Sequence, residues 1–226
     1  MREIVIDTET TGLNHKNGDR IIEVACVELI NHVSTGKNLQ FYCSTEKKID
    51  ESAIKIHGIT NKFLENHPSF ENQHTVFLNF IKDDTLIIHN SDFDMGFLNN
   101  ELRLLKAPPL QNKVIDTVQL ARKTLNTRIA NLDYLCRRFS IDLSLRKVHG
   151  ALLDCQLLAL VYLELIGGQQ TKLELNNIKA SEDSLGKKNK KNNISINQIN
   201  LSIQEIERHK AFIKGLKNAL WHKIDY

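Results

Sequence analysis

The segment Ile4-Val5-Ile6-Asp7-Thr8-Glu9-Thr10-Thr11-Gly12 constrains this chain more than any other. It is an apolar run of β-branched residues that passes straight into two carboxylates, which describes a strand with charge at its end. Successive side chains in a strand alternate between faces, so Asp7 and Glu9, at i and i+2, project to the same side. Two hard oxygen ligands that close together are what Mg²⁺ or Mn²⁺ requires, because these ions prefer carboxylate and water to imidazole or thiolate. Taken alone, the segment fits equally well a strand that simply ends at a polar turn.

Two more β-type runs, residues 20–30 and 36–43, join the first, residues 3–9, across polar turns bearing Gly and Asn, and the three read as an antiparallel meander. From Asp50 onward, helical segments alternate with two short β runs, 85–89 and 113–117. That alternation implies crossover connections that add parallel strands. The expected fold is therefore α/β, a mixed sheet of antiparallel meander plus parallel strands, flanked by helices. Residues 149–166 form a last helical stretch whose Leu152, Leu153, Leu157, Leu158, Leu160, Val161 and Leu165 must pack on the sheet.

With 226 residues the chain has room for one domain and an extension. The domain is expected over 1–168, a flexible linker over 169–200 and a C-terminal segment over 201–226. Residues 181–193 are mostly Lys, Asn and Ser, with Leu185 the one large apolar group, too little to offset ordering entropy by burial. Beyond them Ile206, Phe212, Ile213, Leu216 and Leu220 recur at helical spacing towards Trp221, although Gly215 weakens the helix.

Composition narrows the class without choosing a function. At 41% hydrophobic and 25% charged residues, with no apolar run of membrane-spanning length, the chain reads as a soluble protein. A net charge of +3 tolerates a polyanion but is no dense basic stripe. Cys26, Cys43, Cys136 and Cys155 show neither a Cys-x-x-Cys pair nor zinc-ligand spacing, and the N-terminus lacks the apolar core of a signal peptide, so a reducing cytoplasmic location is expected.

Two further segments carry acidic groups at element ends. In Leu86-Ile87-Ile88-His89-Asn90-Ser91-Asp92-Phe93-Asp94 a strand enters a helix, and the expected division assigns Asp92 to capping and Asp94 to metal. In His149-Gly150-Ala151-Leu152-Leu153-Asp154 the histidine and aspartate are five residues apart, about 140° around an ideal helix. His149 is thus expected on the loop before the helix and Asp154 on its first turns, a mobile base beside a fixed ligand. Asp116 is expected to cap the helix that follows it. Four carboxylates and one histidine at element ends are the parts of a two-metal phosphodiester hydrolase.

At these residues the chain resembles the DEDD superfamily of 3′-to-5′ exonucleases, in its His subtype. The three motifs correspond to Asp7-Thr8-Glu9, to Asp94 within His89-Asn90-x-x-Phe93-Asp94, and to His149-x-Ala151-x-x-Asp154, in matching order across residues 1 to 168. Within it the chain resembles the proofreading subunits of bacterial DNA polymerase III, through the uninterrupted Asp7-Thr8-Glu9-Thr10-Thr11-Gly12, Ile56-His57-Gly58-Ile59, Val114-Ile115-Asp116-Thr117 and Gly167-Gly168-Gln169. The resemblance implies a ribonuclease H-like fold and two divalent cations, Mg²⁺ or Mn²⁺, held by Asp7, Glu9, Asp94 and Asp154. It further implies that His149 is the base and that the 3′-terminal DNA nucleotide contacts Asp7, Glu9, Thr10, Gly12, His57 and His149. By the same route, Gln170-Thr171-Lys172-Leu173-Glu174-Leu175 resembles a peptide that docks on the sliding clamp, without its terminal Phe. The segment from Phe212 to Trp221 stands where such subunits bind the polymerase (alpha) subunit. Two other readings stay open: a stand-alone exonuclease acting on RNA or oligoribonucleotides, and a catalytically silent scaffold subunit.

Overall fold

The Ile- and Val-rich runs become the central strands, buried on both faces, while the edge strand Val33–Tyr42 is largely exposed. β1 (Arg2–Thr10), β2 (Ile21–Ile30) and β3 (Val33–Tyr42) form the antiparallel meander, while β4 (Thr85–Ile88) adds to β1 in parallel and β5 (Val114–Asp116) adds to β4 in parallel. The sheet order is β3-β2-β1-β4-β5. A computed structural model describes residues 1–144, 146, 148–167 and 202–215. Its helices are α1 (Glu51–His57), α2 (Asn61–Leu64), α3 (Phe70–Ile81), α4 (Ser91–Leu104), α5 (Thr117–Leu125), α6 (Leu132–Arg138), α7 (Ala151–Leu165) and α8 (Ile203–Lys214). None of the described helices is long and apolar enough to cross a membrane.

The alternation of β1 divides the core. Ile4 and Ile6 point into a cluster with Phe77 of α3 and Phe97 and Leu98 of α4, whereas Val5 points into a cluster with Leu158 and Val161 of α7. Asp7 and Glu9 continue the Val5 face, which directs both carboxylates to the α7 side. α7 is apolar almost all round because it lies between β1 and β2 on one side and α5 and α6 on the other. All four cysteines are free thiols inside the core.

β3 starts three residues earlier than the expected 36–43. Asn31 and His32 both take positive φ, 50° and 69°, and so make a two-residue hairpin turn without glycine, the conformation that matches the twist of the flanking strands. In a second unit, Leu175–Tyr226, α8 begins with a capping box: Ser202 accepts from the Glu205 N–H and the Glu205 side chain accepts from the Ser202 N–H. The expected continuation through Leu216 and Leu220 to Trp221, and the peptide 170–175, lie outside the described residues.

One ion pair fixes α4 against the start of β2. Arg20 donates to both oxygens of Glu101, at 2.7 and 2.6 Å, and Glu101 also accepts the Ile21 N–H at 3.2 Å while itself 1% exposed. In Glu101→Ala the buried Ile21 N–H loses its partner. The expected loss is about 1–3 kcal/mol, read as a lower urea midpoint at unchanged slope.

Candidate active site

The parallel pairing of β1 with β4, with Ile6 opposite Ile88, brings the carboxyl ends of both strands to one edge of the sheet. The helix after β4 therefore starts beside Asp7, and Asp94 lies in its first turn, 3% exposed. Thr8, on the opposite face of β1 from Asp7, donates its hydroxyl to Asp94 at 2.7 Å and ties strand to helix. Asp154 lies in the first turn of α7, 4% exposed, with its N–H on the Gly150 carbonyl at 3.0 Å. Gly150 has no side chain to cap that helix. Glu23, opposite Glu9 on β2, accepts the Ala151 N–H at 3.3 Å instead.

His149 sits on the loop before α7 as expected, exposed, with Nδ1 3.2 Å from an oxygen of Asp154. Its N–H donates to the Ile56 carbonyl at 3.0 Å, which fixes the loop to the end of α1. Glu9, His149 and Asp154 each offer a ligand atom within 4.8 Å of the other two. Asp7, His89, Asp133, Arg146, His149 and Asp154 line a cleft of about 250 Å³.

Burial of carboxyls, compounded by the crowding of negative charge, dominates the electrostatics. Burial, then the charges of Asp94, Glu9 and Asp154, pushes the Asp7 carboxyl well above its ordinary range. Burial, with Glu23 and Asp154, raises Glu9 to about 8, against which Arg146 acts weakly. Burial raises Asp94 to about 7 in spite of the Thr8 hydrogen bond. Among the described residues no cation pairs with Asp7, Glu9 or Asp94. Oxygen donors with one imidazole, partly open to a cleft, fit a hard divalent cation.

The residues expected to hold the terminal nucleotide lie around the end of β1 and α1. The Thr10 hydroxyl donates to the Gly12 carbonyl at 2.6 Å. A Cβ on Gly12 would approach Asp19 and Asp50 oxygens to 2.5 and 2.7 Å, so no larger residue fits there. His57 is buried, its Nδ1 accepting the Ile59 N–H at 3.0 Å, and its Nε2 has no hydrogen-bond partner among the described residues. Burial lowers its proton affinity, against a backbone contact to Thr10 that raises it, and with Nδ1 accepting, the neutral ring carries its proton on Nε2.

One expectation is corrected. Asp92 caps nothing: Asn90, in left-handed conformation, holds the cap position of α4, and Asp92 is an exposed acid of the first turn. Asp116 serves both helices, accepting the Asn90 and Ser91 N–H groups across the sheet and the Val118 N–H of α5, which it caps as expected. Sequence reasoning also missed Arg146. Its guanidinium pairs with Asp154 through Nε at 2.6 Å and Nη2 at 2.7 Å, reaches Asp133 through Nη1, and lies 2.9 Å from His149 Nδ1. A lone arginine in a loop carries no spacing signal that would have found it.

A mixed five-stranded sheet with two carboxylates on its first strand, and two more from the first turns of flanking helices, is the architecture of a ribonuclease H-like nuclease. Residues 4–162 match the exonuclease family RNase_T. A DNA polymerase III subunit epsilon of Rickettsia felis is 40% identical over 96% of this chain and 97% of its own length, and that of Escherichia coli K12 is 44% identical over 74% and 72%. The chain belongs to this exonuclease family, among the DNA polymerase III epsilon subunits. Two solved structures share the fold. The nuclease domain of 3′hExo, a DEDDh family member bound to rAMP, has a TM-score of 0.65 at 19% identity over 73% of this chain and 91% of its own. Exonuclease X in complex with 5′ overhanging duplex DNA has a TM-score of 0.58 at 23% identity over 73% and 90%.

The raised carboxyls set a pH dependence. Each binds its proton more tightly in the folded than in the unfolded chain. The stability they contribute is therefore fully present below the ordinary carboxylate range and is lost as pH rises through about 7 for Asp94 and about 8 for Glu9. In chelator-treated protein the urea midpoint is expected to fall over that window relative to a Glu9→Gln variant, and Mn²⁺ to abolish the fall. A midpoint difference that stays flat would contradict the assigned shifts.

Proposed function

We propose that this chain is the proofreading 3′-to-5′ exonuclease of a bacterial DNA polymerase III. In this reading it hydrolyses the last phosphodiester of a mispaired DNA 3′ end and releases a nucleoside monophosphate. The observation that supports this is the clustering of two strand carboxylates with two carboxylates from helix first turns, of which Asp7 and Asp154 line one cleft together with His149. Asp7, Glu9, Asp94 and Asp154 would hold two divalent cations, Mg²⁺ or Mn²⁺. Bound there, such ions activate a water and stabilise the leaving oxygen of an in-line displacement.

The protein residues do the remaining work. His149, held by the Ile56 carbonyl yet open to solvent, takes the proton of the attacking water, a task suited to imidazole near neutral pH. Thr10 and Gly12 shape the strand end where the terminal nucleotide would sit, and His57 would offer its Nε2–H to that nucleotide. Gly12 permits the close approach of Asp19 and Asp50 that closes this wall.

The division into a nuclease domain over 1–168, a linker over 169–200 and a polymerase-binding segment over 201–226 belongs to the same proposal. The Rickettsia felis relative aligns over nearly the whole chain, tail included. Gln170–Leu175 would meet the sliding clamp, and the region Phe212–Trp221 the polymerase alpha subunit, with Phe212, 67% exposed, as an apolar contact.

Degradation of a 5′-labelled single-stranded DNA tests the chemistry. Stepwise shortening from the 3′ end that requires Mg²⁺ or Mn²⁺ is expected, with His149→Ala slower by about 10²–10⁴-fold and Asp7→Ala inactive. A folded, metal-supplied protein that leaves the strand intact would move the assignment to a silent scaffold. Removing residues 170–226 is expected to abolish co-purification with the alpha subunit and to spare nuclease activity. Unchanged co-purification would refute the tail assignment.

A further inference from the structure

Arg146 stands where a cation of the reaction must go. Its guanidinium engages both oxygens of the buried Asp154 carboxylate, at 2.6 and 2.7 Å, in the two-point geometry that makes arginine–carboxylate pairs strong. The same Nη2 lies 2.9 Å from His149 Nδ1. Arginine has no acceptor, so it can only donate in that contact. A neutral imidazole has one acceptor nitrogen, and here it is taken. The nearest Asp154 oxygen, 3.2 Å from Nδ1, shares the same donor. In this arrangement neither the carboxylate nor the imidazole is available for hydrolysis.

We propose that Arg146 is a built-in cation that holds the place of a divalent ion at Asp154 and ties up the base His149, so that metal loading releases both together. The inference rests on the metal-site reading above. Asp133, on α6, supplies the other end of the device: it binds Nη1, and so the guanidinium stays anchored at the cleft wall when Asp154 lets go. The pairing is selective, because Asp7, Glu9 and Asp94 lack a cation among the described residues. Those three have no ion-pair partner to displace, whereas Asp154 exchanges one cation for another. Arg146 is accordingly a positioning residue and not a catalytic one.

The two roles open to such an arginine predict opposite changes in metal affinity. A competitor, once removed, leaves Asp154 free. A support that keeps Asp154 oriented for the ion weakens binding when lost. Mn²⁺ titration of the full-length chain by calorimetry and electron paramagnetic resonance separates them. Arg146→Ala is expected to bind Mn²⁺ about tenfold more tightly at the weaker site, the scale of one lost charge-assisted hydrogen bond. It should also melt at lower temperature without metal, gain more from Mn²⁺ than the parent does, and reach half-maximal nuclease activity at lower Mn²⁺. Arg146→Lys keeps the charge without the fork, so it is expected to fall between the two, and it carries the test if the alanine variant does not fold without metal. Unchanged or weaker Mn²⁺ binding in the variants overturns the proposal while the metal site stands. A parent chain that binds no Mn²⁺ overturns the metal-site reading, and this proposal with it.

Discussion

Four carboxylates held at the edge of one sheet, where water is partly excluded, are the constraint to which the rest of the domain answers. Burial penalises each charged form first, and neighbouring like charges add to that cost, roughly 4 kcal/mol for a pair about 4 Å apart at the effective dielectric of a protein surface. Asp7, Glu9 and Asp94 respond by binding protons more tightly than free carboxyls do. Sites that store repulsion of this kind persist only where the surroundings fix them more firmly than the charges push them apart. The apolar β1 supplies that firmness, since Ile4, Val5 and Ile6 are fully buried against helices on both faces.

The helices bring compensation as well as carboxylates. Asp94 and Asp154 each occupy the first turn of a long helix, where unpaired N–H groups and the helix dipole favour negative charge. The helix ends are then satisfied from elsewhere, by Asp116 for the start of α4 and by Glu23 for the start of α7. A carboxylate that capped its own helix would have its oxygens aimed at backbone N–H groups. Delegating that task leaves Asp154 facing the cleft, and it explains why two further acids, neither expected as a metal ligand, sit so close to the site.

Much of this was legible in the sequence, for physical reasons that differ by element. The side chains of β1 alternate strictly, so two acids at i and i+2 had to share a face, and the mixed sheet followed from the change between meander and crossover spacing. His149 and Asp154 were separable into loop and helix because five residues do not return to one helical face. The hairpin at Asn31-His32 was hidden because it contains no glycine, although Asn tolerates positive φ well. Asp92 was misread because capping depends on the conformation of the residue before the helix, and there Asn90 adopts the left-handed turn. Arg146 was invisible for a different reason. Its partners, Asp133, His149 and Asp154, come from two helices and a loop, and only folding makes them neighbours.

The site separates parts that must not move from one that must. Metal geometry tolerates little error, and the carboxylates sit accordingly on a buried strand and in the first turns of packed helices, with Thr8 joining strand to helix. A base of the proposed kind, which takes a proton and returns it to solvent, needs access more than rigidity, and His149 is on an exposed loop. That loop is held at two points of different kind. The backbone bond to Ile56 is insensitive to what occupies the cleft, whereas the side-chain contact to Arg146 lasts only while the guanidinium stays on Asp154. In the proposed exchange, a cation that takes the place of Arg146 changes the freedom of the imidazole without moving the backbone that carries it, so the state of the metal site would pass to His149 through a single side chain.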